Sequence, residues 1–126
     1  MGLFMAGAKI LVVDDIRLNR ELAKDLLEME GYQVLEAVCG KEGIEKARQN
    51  KPDIILLDIE LPDMSGLEVI KVIKKDPEIN PIPVVAFTGH NQHEEQEKFL
   101  VAGFAGFIHK PFDIKKFPQM VAKFLK

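Results

Sequence analysis

Hydrophobic positions along the chain fall into two alternating textures. Five short runs are almost wholly apolar: Ile10 to Val13, Gln33 to Ala37, Ile54 to Leu57, Ile82 to Phe87 and Gly106 to His109. Their Ile, Val, Leu and Phe content, their length and their flanking turn residues predict strands buried on both faces. Amphipathic stretches separate them. "RLNRELAKDLLEMEGY" sets Leu18, Leu22, Leu26 and Met29 at helical spacing, with Gly31 as the stop. "KEGIEKARQN" predicts a second helix, closed by Asn50 ahead of Pro52. "SGLEVIKVIKKDPE" predicts a third, with Ser65 as N-cap, Glu68 three residues on and Pro77 past the end. "NQHEEQEKFLVAG" gives a weaker fourth, polar all round in its first half. In "DIKKFPQMVAKFLK", Pro118 would break a helix already under way, so a turn from Asp113 with the regular helix starting near Pro118 is expected.

Strict alternation of strand and helix predicts an α/β fold, a doubly wound parallel sheet with helices on both faces. At 126 residues the chain fits one domain with a real core. Residues 1–8, "MGLFMAGA", read as an N-terminal extension, too short and uncharged for a secretory signal, with Met5 an alternative start. The domain proper runs 9–126. No apolar run approaches a membrane span. Net charge is −3 without a basic block, which argues against nucleic acid as a direct partner. The single cysteine, Cys39, excludes an internal disulfide and a multi-cysteine metal site, and suits a reducing, cytoplasmic setting.

Ligands of open parallel sheets bind beyond the carboxyl ends of the strands, where strand order reverses. The first strand ends in Asp14 and Asp15, the third in Asp58, the fourth in Thr88 and the fifth in Lys110–Pro111. Each has an ordinary structural duty: Asp15 can cap the first helix, Thr88 can be a capping hydroxyl and Lys110 a solvated surface lysine. Their arrival at one edge of one sheet favours a shared purpose. Two carboxylates 4 Å apart repel by about 4 kcal/mol at an effective dielectric near 20. A hard cation or a retained proton relieves this, and oxygen ligands without His or Cys favour Mg²⁺. A metal, a lysine and a hydroxyl together suit a phosphoryl group, and Asp58 is placed to carry one as an acyl phosphate.

The segments "KILVVDD" (9–15), "PDIILLDIELPDMSG" (52–66), "IPVVAFTG" (82–89) and "FIHKPFD" (107–113) resemble the receiver domain of bacterial two-component response regulators. The resemblance covers Lys9 to Lys126 and implies a flavodoxin-like (βα)5 fold with strand order 2-1-3-4-5. It implies Asp58 as phosphoacceptor from a phosphohistidine on a histidine kinase or histidine phosphotransferase. Asp15 would touch Mg²⁺ directly, Asp14 through water, and the Glu60 backbone carbonyl would be a further ligand. Thr88 would be the switch hydroxyl, Lys110 the lysine that pairs with the acid or its phosphate, and Lys110–Pro111 a cis bond. Phe107 would hold the place of the aromatic switch, or act as a plain core residue. Glu60 and His90, each two residues past a key group, would flank the phosphoryl group and tune attack by water, while His109 is expected to serve packing. Leu18, Asn19 and Leu22 on the first helix and Phe112 after Pro111 would dock the phosphodonor. Phosphorylation would then alter the face of helix four, strand five and helix five toward a downstream protein. Most Phe residues near the end should fill the core beneath the last helix.

With no segment after Lys126, a stand-alone receiver is expected, and a receiver cut from a larger regulator or hybrid kinase is the alternative. Two other classes compete. A haloacid-dehalogenase-like phosphatase wants a second aspartate two residues after the nucleophile, where Glu60 stands. A flavin binder wants a Ser/Thr/Gly-rich phosphate loop where "DDIRLNR" stands. A degenerate receiver would lack an acid or the lysine, and none is missing.

Overall fold

A computed structural model describes residues 7–89 and 93–125. Its strands are β1 (Lys9–Val13), β2 (Gln33–Ala37), β3 (Ile54–Leu57), β4 (Val84–Thr88) and β5 (Gly106–His109). All pair in parallel, in the order β2-β1-β3-β4-β5. The helices are α1 (Arg17–Glu28), α2 (Gly40–Asn50), α3 (Gly66–Lys75), α4 (His93–Ala102) and α5 (Phe117–Ala122). The chain winds outward from β1 to β2, then crosses back to β3, so strand order reverses between β1 and β3.

Alternate side chains of each strand point to opposite faces, which explains why the apolar runs are continuous. Leu11, Val13, Ile55 and Leu57 pack with Ala47, Ile70, Ile73 and Phe99 of α2, α3 and α4. Ile10, Val12, Ile54 and Leu56 pack with Ala23 and Leu27 of α1 and Phe117 and Val121 of α5. The residues near the end fill this second layer: Phe117 and Val121 are fully buried and Leu125 nearly so.

Local chemistry fixes the element ends. Ser65 and Glu68 form the expected capping box, with Ser65 Oγ accepting from the Glu68 N–H at 3.2 Å and Glu68 Oε1 from the Ser65 N–H at 3.0 Å. The N–H groups of Lys116 and Phe117 both donate to the Asp113 carbonyl, and α5 starts with Pro118 in its first turn. β4 begins at Val84 rather than Ile82, because Pro83 has no N–H for the ladder, although its carbonyl accepts from Ile55 at 3.0 Å. Of the row expected to line α1, Leu26 packs partly buried against the core, while Leu18, Leu22 and Met29 turn outward. Leu18 and Met29 are exposed by 77% and 79%, while Ala23 and Leu27 are buried. Small Ala23 lets the helix lie close on the sheet. Among the described residues, no helix is long and apolar enough to cross a membrane.

Candidate functional site

The sheet brings three carboxylates to the reversal point. The Asp14 N–H donates to Ala37 O at 3.1 Å and the Asp58 N–H to Val13 O at 2.9 Å, so both acids extend the β-ladder by one residue. β1 and β3 are neighbours, so one ligand oxygen each from Asp14, Asp15 and Asp58 fall within 4.8 Å of one another. Asp14 and Asp58 are buried and Asp15 is exposed.

Lys110 comes from the end of β5, held there by its N–H donating to Thr88 O at 2.7 Å. Its side chain is only 12% exposed, so it is no solvated surface lysine. Nζ donates to Asp14 Oδ2 at 2.8 Å, lies 3.4 Å from Asp58 Oδ2 and stands 5.0 Å over the Phe87 ring. The other oxygens are also engaged. Asp14 Oδ1 accepts from the Ile16 N–H at 2.9 Å and Asp58 Oδ1 from the Glu60 N–H at 3.0 Å. Asp15 does not cap α1: Ile16 is the N-cap residue, and Asp14 supplies the side chain that accepts its N–H.

Burial raises the Asp58 carboxyl from an ordinary 3.8 to about 6. The Glu60 N–H and Lys110 oppose the rise, and the charge of Asp14 adds to it. A cation that neutralises the charge of such a buried, like-charged acid stabilises it more than it would a solvated one.

A cleft of about 550 Å³ opens over the acids, lined among others by Asp15, Asn19, Asp58, Glu60, Lys110 and Pro111. Thr88 is buried, and the next residue, Gly89, reaches the cleft wall. The Lys110–Pro111 bond is cis. Glu60 is exposed at the cleft, whereas His90 lies outside the described residues. Phe107 is half-buried against the α2/α3/α4 layer, its ring 5.7 Å from that of His109. His109 Nε2 lies 3.3 Å from Gln96 Nε2. Leu18 and Leu22 are exposed on α1, with Asn19 between them at the cleft. Phe112 is half-buried and stacks on Phe117 at 4.2 Å.

Two supports were not read from the sequence. Arg20 donates from Nη1 to the Asp14 carbonyl at 2.9 Å and from Nε to Glu36 Oε1 at 3.3 Å, bracing the turn that holds the acids. The signal available was Glu36, the one charged residue of β2. Asp63 accepts from the N–H groups of Gly40 and Lys41 at 2.8 and 2.9 Å, which hold its carboxyl below the usual range. Nothing in the spacing links residues 63 and 40.

A buried acid pair bridged by a lysine, with an exposed third acid beside it at a switch point, defines a charge-handling site of a phosphoryl-accepting α/β domain. The profile of the response regulator receiver domain matches residues 10–122, and the chain belongs to that family. It is 37% identical over 116 residues to the polar-differentiation response regulator DivK of Brucella anthropi, covering 92% of this chain and 94% of DivK. Its fold superposes on the chemotaxis response regulator CheY4 of Vibrio cholerae with a TM-score of 0.90, at 28% identity over 95% of this chain and all of CheY4. A CheY-like receiver domain protein of Methanospirillum hungatei gives 0.85 at 30% identity, covering 95% and 94% of the two chains. The protein is a receiver domain, a phosphorylatable switch of two-component signalling.

Proposed function

We propose that Asp58 is the phosphoacceptor and that its modification is Mg²⁺-dependent. The observation that carries this reading is the meeting of Asp14, Asp15 and Asp58 within 4.8 Å, beside Lys110. This donor set is all oxygen and fits Mg²⁺. Both oxygens of Asp14 already have partners in Lys110 and Ile16, which leaves exposed Asp15 as the direct acidic ligand, with Asp58 and the Glu60 carbonyl beside it. When bound, the ion neutralises charge on the phosphoryl oxygens and on the acids around them.

In the reaction an Asp58 carboxylate oxygen attacks the phosphorus of a phosphohistidine on a histidine kinase or phosphotransferase. The O–P bond forms, the N–P bond breaks and the electron pair stays on the imidazole. Lys110 turns from the acid pair toward the phosphoryl oxygens, and Thr88 supplies a hydroxyl to them. Hydrolysis returns the carboxylate and inorganic phosphate, with Glu60 and His90 tuning the approach of water. Self-modification and its reversal are the only catalysis in this reading, so the protein acts as a signalling element rather than an enzyme for an outside substrate.

Thr88 and Lys110 stand on neighbouring strands joined at this end by a 2.7 Å backbone bond. New bonds from both to one phosphoryl group therefore bias α4, β5 and α5 toward a second packing, with Phe107 moving between them. That face meets a downstream protein. Leu18, Asn19 and Leu22 dock the phosphodonor, with the Pro111–Phe112 loop at the border, and the setting is the cytoplasm. The test is stoichiometry: with a phosphohistidine protein and Mg²⁺, wild type should take up one phosphoryl group per chain. Steady turnover of a phosphomonoester, or equal labelling of Asp58→Ala, contradicts the proposal.

A further inference from the structure

The loop between β3 and α3 is closed on itself and then fastened to a different helix. The Gly66 N–H donates to Ile59 O at 2.8 Å, and Glu60 and Ser65 form an antiparallel bridge. A Cβ on Gly66 would stand 2.8 Å from Asp58 O and from Ile59 Cα, so only glycine allows the base to close this tightly. At the tip, Asp63 takes the N–H groups of Gly40 and Lys41. Met64 covers Gly40 so closely that a Cβ there would lie 2.4 Å from Met64 Cγ. The N-cap residue of α2, Cys39, makes no side-chain cap of its own. The cap comes from a residue over twenty positions away.

We propose that Asp63 is a positioning residue for the phosphoryl site, pinning the loop that carries Asp58 and Glu60 to the start of α2. The tether joins the turn after β2 to the turn after β3, across β1, whose end carries Asp14. Glu60 is held between the closed base and this anchor, so the direction of its N–H toward Asp58 Oδ1, and its place in the cleft lining, depend on Asp63. The inference rests on the Mg²⁺ site under Proposed function. A residue serving only as a helix cap would matter to stability alone; a tether also sets the affinity of the site and the rigidity of the loop.

The experiment separates these by moving the cap. Asp63→Ala removes it, and Cys39→Ser in the Asp63→Ala background supplies a cap hydroxyl within α2 without restoring the tether. Mg²⁺ titration followed by amide NMR should show Asp63→Ala binding about three- to tenfold more weakly than wild type. In metal-free protein the amides of Glu60 and Gly66 should exchange about tenfold faster. The double variant should regain thermal stability but neither affinity nor protection, and Asp63→Asn, keeping one acceptor, should fall between. Wild-type affinity and exchange in Asp63→Ala overturn the proposal, as does a double variant that recovers everything. Should Asp63→Ala fail to fold, the same measurements on the double variant and on Asp63→Asn decide between tether and cap. A wild type that binds no Mg²⁺ rejects the metal site itself, and amide exchange alone then decides on the tether.

Discussion

Lys110 and Asp14 stand 96 residues apart, yet Lys110 Nζ donates to Asp14 Oδ2 at 2.8 Å in a site where Asp14 is fully buried. The contact to Asp58 is longer, at 3.4 Å. The lysine thus neutralises the deeper acid first and leaves the acid at the cleft less fully paired. Under the proposed assignment of Asp58 as phosphoacceptor, this arrangement lets the ammonium change partners when charge is added there.

Lys110→Met leaves Asp14 and Asp58 buried together with no cation between them. Breaking a buried pair by removing one partner costs about 3 kcal/mol. Urea unfolding at neutral pH should show a loss of that size, shrinking as acid protonates Asp58. No loss at neutral pH would show that the pair contributes nothing.

The raised carboxyl of Asp58 gives a pH signature. Between the ordinary 3.8 and about 6, the native protein holds a proton that the unfolded chain has released. Stability therefore falls as pH rises through that window, and the penalty is complete above it. Asp63 and Asp76 have lowered values, so their contributions are lost only in more acid solution, below the window. Unfolding midpoints measured across the window should decline for wild type and decline less for Asp58→Asn. Parallel curves would contradict the burial argument.

Mg²⁺ should reverse that penalty by favouring the ionised acids. At a free concentration about tenfold above Kd, stabilisation of about 1.4 kcal/mol is expected, read as a rise in Tm that a chelator abolishes. Asp15→Asn should lose most of it. An equal rise in Asp15→Asn would place the ion elsewhere.

The exposed row on α1 makes a separable claim. Leu18 is 77% exposed, so Leu18→Glu should leave stability within about 0.5 kcal/mol. Labelling by a small phosphodonor should be unchanged, while transfer from a phosphohistidine protein should slow by about tenfold, as losing one docking anchor implies. Equal rates from both donors would remove α1 from the docking surface.

The central strand β3 was legible because a strand buried on both faces has no polar positions to confuse its limits. The edge strands β2 and β5 are only partly buried, and their limits came from the turn residues around them. β2, β3 and β5 fall on the residues that the apolar runs indicate. The acids and the lysine were legible for a related reason, since polar groups placed directly after buried runs stand out. What stayed hidden depends on contacts between distant segments. The outward turn of Leu18 and Met29 follows from Ala23 seating on the sheet, which spacing within one helix cannot express. The brace from Arg20 to Glu36 and the bond from Asp63 to α2 each join side chains or loops whose proximity exists only once the sheet is wound. The difference between buried Asp14 and exposed Asp15 is of the same kind, because two adjacent acids look alike until the first continues the β-ladder.

The most direct measurement is residue mapping of the modified group. The protein is incubated with acetyl phosphate and Mg²⁺, reduced with borohydride to convert an aspartyl phosphate to homoserine, digested and sequenced by mass spectrometry. Conversion at Asp58 alone, lost without Mg²⁺ and greatly reduced in Lys110→Met, is the predicted result. Conversion at Asp14 or Asp15, or none at any carboxylate of the site, would contradict the assignment of Asp58 as the acceptor.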